Sequence, residues 1–246
     1  MKLGRIALGI GFACALLAGS VEASVTVGGT RVVYPLDQRE VTVKLDNDSA
    51  APSLVQVWID DGHADAKPGD IKVPFVMTPP IFRMDAKKSQ NLRVIYTGDA
   101  LPRDRESVFW LNVLDIPPKA DNTTGANTLQ FAYRTRIKVF VRPPKLPGTP
   151  EAAPAQLNWT VVAAPDKKGQ SVSVSNPTPY YVSFSEVGVE SGGRTFKNER
   201  GGMVAPHATE VIPVAEMNGV SAGAKVHYTA INDYGGAMEG DATLGQ

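Results

Sequence analysis

Hydrophobic and polar positions alternate over a long stretch of the chain, residues 129–142. The apolar set, interrupted only by Thr135, consists of Leu129, Phe131, Tyr133, Ile137, Val139 and Val141. Alternation at period two is typical of a half-buried β-strand, and the thirteen residues up to Val141 would reach about 40 Å at about 3.3 Å per residue. Strands usually have about five or six residues, so the pattern predicts one strand with length to spare. Pro143 and Pro144 end it, because proline cannot donate a ladder hydrogen bond.

Shorter runs of the same kind fill the rest of the first half of the chain. Residues 106–116 are apolar on both faces, as expected for a central, buried strand. Other candidate strands, separated by turn-forming residues, lie at 25–27, 31–34, 41–45, 54–59, 75–77, 81–84 and 90–96. No segment after residue 23 has convincing helical periodicity. The spacing predicts an all-β sandwich of about seven strands.

A proline-rich segment separates this region from a second group of candidate strands. Residues 143–154 contain five prolines, which indicates a linker with restricted bending. The later candidate strands lie at 157–163, 171–175, 180–185, 209–214 and 225–231. The chain is therefore predicted to be all-β, with two tandem sandwich domains at residues 24–143 and 155–246 and a linker at 144–154.

The first 23 residues have the pattern of a secretory signal. Lys2 and Arg5 precede an apolar run from Ile6 to Ala18, which is too short to span a bilayer well. Small residues at the −3 and −1 positions predict cleavage before Ser24. The only cysteine, Cys14, lies inside this signal, so the exported chain has no disulfide and must be held together by packing.

Composition and charge narrow the functional classes. The chain has 246 residues, 43% of them hydrophobic, a formal net charge of +0 and a pI near 6.8. Such a balance gives no basic field for nucleic acid, and no later segment is apolar enough to insert into a membrane. The three histidines, His63, His207 and His227, are scattered, and no nucleophile or phosphate-binding motif is present. We therefore expect no enzyme activity, metal or cofactor.

Seven short motifs, in order along the mature chain, resemble the periplasmic pilus-assembly chaperones of the chaperone–usher pathway. They are Thr30–Tyr34, Thr78–Met84, Pro102–Ser107, Asn112–Pro117, Arg136–Pro143, Asn176–Tyr181 and Ile231–Gly236. The resemblance implies two immunoglobulin-like domains set at an angle around a cleft. It also implies a periplasmic protein whose partners are pilin subunits and an outer-membrane usher. Whether the free chaperone self-associates through its exposed strand stays open.

In such a family the long strand completes a pilin subunit that lacks its last strand, a form of β-strand addition. The resemblance implies that Leu129, Phe131 and Tyr133 insert into the subunit's open groove. Alternation alone favours the other interpretation, in which the same side chains pack into the chain's own core. The resemblance further implies that Arg31 and Lys138 bind the carboxylate at the subunit's C-terminus. The alternative is that Lys138 is a solvated charge that deters edge-to-edge aggregation.

Three charged residues match an interdomain ionic network of the family: Glu106, Arg142 and Asp233. The alternative is that they are unrelated surface charges. Residues 119–128 form a short connection without cysteines, which favours the short-loop branch of the family and rod-like pili. A second hypothesis is a secreted two-domain β-sandwich adhesin or carbohydrate-binding module, which should carry clustered exposed aromatic residues or calcium-binding carboxylates. The wide separation of Trp58, Trp110 and Trp159 along the chain speaks against it.

Overall fold

The structure is a computed structural model that describes residues 25–119, 129–165, 169–220 and 222–245. The predicted signal and its cleavage site before Ser24 lie outside the described residues. The described chain forms seventeen β-strands and one short 3-10 helix, Pro154–Gln156. No helix in these ranges is long and apolar enough to cross a membrane.

The first domain is a sandwich of two sheets. Its strands are β1 Val25–Val27, β2 Arg31–Pro35, β3 Glu40–Asn47, β4 Ser53–Asp60, β5 Phe75–Thr78, β6 Ile81–Met84, β7 Ser89–Tyr96, β8 Ser107–Ile116 and β9 Tyr133–Arg142. One sheet has the order β1-β3-β7-β5, and the other has the order β2-β9-β8-β4-β6. Alternate apolar residues of both sheets meet between them, among them the fully buried Tyr34, Leu45, Leu92 and Val139.

The second domain, β10–β17, is a smaller sandwich. Its strands are β10 Asn158–Ala163, β11 Gln170–Ser175, β12 Val182–Ser191, β13 Arg194–Asn198, β14 Gly202–Val204, β15 Thr209–Ile212, β16 Lys225–Ile231 and β17 Ala237–Thr243. A sheet β10-β11-β15 faces a sheet β13-β12-β16-β17, in which β14 also pairs with β12. The all-β prediction with two sandwich domains is confirmed.

Several strand predictions were incomplete. The first domain has nine strands in the described residues rather than about seven, and β13, β14 and β17 were not expected. β17 pairs only with β16 and has no buried residue, so its sequence lacks the apolar alternation on which the prediction relied. Strands of this kind are held by main-chain pairing, which leaves little trace in a hydrophobicity pattern.

The predicted long strand begins later than expected. Residues 129–132 are not part of a strand, and β9 starts at Tyr133, opposite Asp115 of β8. Since β8 ends one residue further on, at Ile116, the segment before Tyr133 has almost no neighbouring strand left to pair with. Alternation was a correct sign of extended structure from Tyr133 onward, but it could not show where the partner strand ends.

β9 has two neighbours over only half of its length. It pairs with β8 from Tyr133 to Val141, whereas β2 runs parallel to it only from Lys138 to Arg142. Within the described residues, the part from Tyr133 to Ile137 therefore has a strand on one side only. Its other edge presents main-chain groups that another strand can bind.

Candidate functional site

Two cations meet on adjacent strands at the junction of the domains. The parallel pairing of β2 and β9 places Arg31 directly beside Lys138. Arg31 Nη1 donates a hydrogen bond of 3.1 Å to the main-chain oxygen of Ile231, and Lys138 Nζ donates one of 3.0 Å to Ser183 Oγ. Both acceptors belong to the second domain. The sequence motifs that contain Arg31 and Lys138 are thus brought together by a strand pairing that links distant parts of the chain.

The surroundings of this pair favour binding an anion. Burial and the nearby charge of Arg31 lower the pKa of Lys138 to about 8. Burial also lowers the pKa of Arg31, an effect that the carboxylate of Asp233 partly opposes. Arg31 Nε is buried and has no hydrogen-bond partner in the described chain. Two half-buried cations with a spare donor are well suited to a carboxylate, since charge-assisted hydrogen bonds are the stronger ones.

Arg142, the last residue of β9, links the two domains through carboxylates. Its Nε donates to Glu106 Oε1 at 2.6 Å, and its two Nη atoms donate to Asp233 at 2.7 and 2.9 Å. Glu106 is 3% exposed, and its other oxygen accepts the main-chain N–H of Tyr181 at 2.8 Å. Glu106 and Arg142 lie in the first domain, whereas Tyr181 and Asp233 lie in the second. The three residues that the resemblance singled out are therefore in direct contact.

Burial and pairing act against each other in this network. Burial alone would lower the pKa of Arg142, but the hydrogen bonds that it donates to Asp233 and the charge of Glu106 raise this pKa well above its ordinary value. Burial raises the pKa of Glu106, and the Arg142 charge only partly offsets this. The guanidinium therefore stays charged at any physiological pH and favours the charged form of Glu106.

The three proposed donor side chains point into solvent. Leu129, Phe131 and Tyr133 are 81%, 57% and 62% exposed. Their exposure does not fit the alternative in which they pack into the chain's own core. Large apolar side chains exposed side by side on a short segment are unusual on a monomer surface and typically mark a binding site.

A buried polar cluster behind this segment was missed by the sequence reasoning. Asp60, at the end of β4, has 0% exposure and accepts from Arg136, whose Nε lies 3.0 Å and Nη2 2.5 Å from its two oxygens. Asn112 Nδ2 donates to the same carboxylate at 2.7 Å, and Arg134 Nη2 donates to Asn112 Oδ1 at 2.6 Å. The guanidinium groups of Arg134 and Arg136 also lie over the rings of Trp58 and Trp110, respectively.

This cluster holds the outer face of the first half of β9. Arg134 and Arg136 occupy polar positions of the alternating pattern, and a pattern of this kind does not show which residue they contact. Burial would raise the pKa of Asp60, yet the hydrogen bonds from Arg136 and Asn112 outweigh it and lower the pKa below its usual value. The register of β4, β8 and β9 is what brings an aspartate and two arginines into one row.

The histidines and carboxylates of the described residues do not form a metal site. No group of three histidine, cysteine, aspartate or glutamate side chains there has the geometry of a metal site. His63 contacts Asp61, and His227 contacts Asp241 and Glu190 on neighbouring strands. Trp58 and Trp159 are buried, so they do not form the exposed aromatic cluster that a carbohydrate-binding module should carry.

Comparison with known proteins agrees with this arrangement over both domains. The family model of the pili and flagellar-assembly chaperone, PapD N-terminal domain, matches residues 24–147, and that of the pili assembly chaperone PapD, C-terminal domain, matches residues 152–242. The probable fimbrial chaperone YadV of Escherichia coli (strain K12) is 48% identical over 234 residues, which cover 94% of each chain.

Solved structures give the same result. The crystal structure of the YadV chaperone has a TM-score of 0.77 and 45% identity, covering 90% of this chain and 100% of that chain. A chain in the structure of the Salmonella enterica SafA pilin in complex with the SafB chaperone has a TM-score of 0.74 and 27% identity, covering 92% and 99%. The present chain therefore belongs to the family of PapD-type pili and flagellar-assembly chaperones.

Proposed function

We propose that this chain is a periplasmic chaperone that captures pilin subunits by lending them a strand and then delivers them to an outer-membrane usher. One observation carries the proposal above all others. The first half of β9 is paired on one side only, and it continues into a segment with exposed apolar side chains. A free main-chain edge and an apolar face together are what a subunit missing one strand needs.

Capture would proceed by extension of β9. The subunit's edge strand forms main-chain hydrogen bonds with the free side of Tyr133–Ile137, and residues 129–132 become extended as pairing spreads. Leu129, Phe131 and Tyr133 then fill the groove at alternate positions, since side chains two residues apart lie on one face. The exposed apolar surface of the chaperone and that of the subunit are buried together, which supplies the driving force.

Arg31 and Lys138 would bind the carboxylate at the subunit's C-terminus. A hydrogen bond to a charged group contributes about 1.5–3 kcal/mol, and two cations on adjacent strands can each supply one. Fixing one end of the subunit's strand also fixes the register of the pairing. This matters because a slip by one residue would turn every donor side chain to the wrong face.

The Arg142 network would set the angle between the domains and thereby the shape of the site. We also propose that the domains extend over residues 24–143 and 155–246, with residues 144–154 as the linker. The ring of Phe140 lies against that of Tyr181, with centroids 5.9 Å apart, and adds an apolar contact across the same junction. Such a junction keeps Arg31 and Lys138 facing the second domain without any covalent cross-link.

The decisive test replaces Phe131 with aspartate. The charge would enter an apolar groove, so we expect subunit capture to be lost, whereas folding is unchanged because Phe131 is exposed in the free chain. Co-expression with candidate pilins, followed by native mass measurement, gives the amount of one-to-one complex. Val211→Asp is the matched control, because Val211 is an exposed apolar residue of the second domain. Full capture by the Phe131 variant would show that the donor assignment is wrong.

A further inference from the structure

A buried carboxylate in the first domain has no role in the site described above. Asp115 of β8 is 3% exposed, and its side chain lies next to the start of β1. Its Oδ2 accepts the main-chain N–H of Val25 at 3.2 Å. Its Oδ1 is buried and has no hydrogen-bond partner among the described residues, and none of their cations forms an ion pair with it.

A buried carboxylate oxygen such as Asp115 Oδ1 is expected to accept a hydrogen bond. Buried carboxylates are nearly always paired or hydrogen-bonded, because an unpaired buried charge is strongly unfavourable. The nearest source is fixed by covalent geometry. The nitrogen of residue 24 is three bonds from that of Val25, so chain connectivity alone keeps the two within about 4 Å of each other. The Val25 nitrogen already lies against Asp115.

Signal cleavage changes the chemistry of the nitrogen of residue 24. In the precursor it is a neutral amide with one N–H. Cleavage before Ser24, as the signal pattern predicts, turns it into a primary ammonium group with three N–H donors and a positive charge. We propose that the ammonium group created by signal cleavage binds the buried carboxylate of Asp115.

The pair would join the two sheets of the first domain. β1 has only three residues and pairs with β3 in one sheet, whereas Asp115 belongs to β8 in the other. Asp115 is also the residue opposite Tyr133, where β9 begins. Processing therefore fastens the first strand of the mature chain at the end of the sheet from which the donor segment emerges. This inference depends on export and cleavage but not on subunit capture.

The first experiment identifies the N-terminal residue of the exported protein and measures the pKa of its α-amine. The chain is exported in a Gram-negative host, and the intact mass of the purified protein should give Ser24 as the first residue. The rate at which the α-amine reacts with an acylating reagent, followed by mass spectrometry across pH, gives its pKa. We expect a pKa above about 9, against an ordinary value of about 7.7–8.0. A different N-terminus, or an amine pKa of about 8 or lower, would overturn the proposal.

Two variants make the assignment specific. Asp115→Asn keeps the shape and an acceptor for Val25 but removes the charge, so the amine pKa should return to about 8. Asp48→Asn is the control, because Asp48 also contacts β1, through the Thr26 hydroxyl at 3.2 Å, but is solvent-exposed. The control should leave the amine pKa unchanged. An equal effect of both variants would contradict a specific pair.

A stability cycle provides a second readout. Selective acetylation of the α-amine removes its charge and should lower the melting temperature of the wild-type protein. The same acetylation should have no effect on the Asp115→Asn variant, because the pair is already absent there. Equal destabilisation of both proteins would show that the amine does not act through Asp115. Pilin co-elution is measured separately, so a failure of this inference is distinguishable from a failure of the proposed capture function.

Discussion

At the scale of single residues, Lys138 combines burial with a neighbouring positive charge. The pKa of its ammonium group lies at about 8 in the free chain, far below the ordinary value of a lysine. A bound carboxylate next to Lys138 would favour the charged form and raise this pKa again. The proton on Lys138 and the bound subunit are therefore thermodynamically linked.

This linkage predicts a pH-dependent affinity. Below about pH 7 Lys138 is protonated in both the free and the bound states, so affinity does not vary through this group. As pH rises through 8, the free chain loses the proton that the bound state retains, and affinity falls by up to about tenfold per pH unit. This pH dependence is measured by titration calorimetry, in which a subunit's C-terminal peptide is titrated into the chaperone at pH values between 6.5 and 9.5.

Lys138→Arg is the informative control, since arginine stays protonated over this whole range. Its affinity should be nearly independent of pH. Lys138→Ala should fold normally but lose about 1.5–3 kcal/mol of peptide binding. Identical pH profiles for the wild-type and Lys138→Arg proteins would exclude the linkage.

At the scale of elements, the two halves of β9 differ in how many strands they pair with. From Lys138 onward it lies between β2 and β8, and before that it has β8 alone as a neighbour. A strand with one free side has main-chain hydrogen bonds to one neighbour only, so side-chain contacts add to what holds it in place. The cluster of Asp60, Asn112, Arg134 and Arg136 does this from the outer face. The element therefore stays available for binding without losing its shape.

Removing the charge of Asp60 should weaken this support. Breaking a buried ion pair typically costs about 3–5 kcal/mol, and we expect about 2–4 kcal/mol for Asp60→Asn because the two arginines are partly exposed to water. Urea unfolding of the free protein gives the value. Asp61→Asn is the control, because Asp61 is the next residue along the chain and is exposed; this change should leave the urea midpoint nearly unchanged.

The pH dependence of this element follows from the same contacts. The pKa of Asp60 is lower in the folded than in the unfolded chain, so its contribution to stability is complete above the ordinary aspartate pKa. It is lost only as pH falls through the lower, folded value. An Asp60→Asn protein that is as stable as wild type at pH 7 would show that the cluster does not support β9.

At the scale of the whole molecule, the sequence predicted the architecture better than the contacts between its parts. Period-two alternation and turn residues were enough for two all-β domains, since that signal is local. The adjacency of Arg31 and Lys138 depends on a parallel pairing of β2 with β9, which no local pattern encodes. The partner of Arg134 and Arg136 was missed for the same reason. The roles assigned to Leu129 and Phe131 came from the family motifs, because alternation alone favoured a core strand.

The junction of the domains depends on the two carboxylates that bind Arg142. Arg142 donates hydrogen bonds to the carboxylate of Asp233 in the second domain and to that of Glu106 in the first domain. Asp233→Asn should leave each domain folded, because Asp233 belongs to neither hydrophobic core. It should, however, broaden the distribution of angles between the domains and reduce subunit affinity, because Arg31 and Lys138 would no longer face a fixed partner surface.

Residual dipolar couplings measured separately for the two domains report their relative orientation. Asp241→Asn is the matched control, since Asp241 is an exposed aspartate of the same domain whose carboxylate pairs with His227. In the wild type and in this control, a single alignment tensor should fit both domains. In the Asp233 variant the two tensors should differ in magnitude, because the domains move independently. A single shared tensor in that variant would mean that the remaining contacts, such as Phe140 against Tyr181, are sufficient to hold the angle.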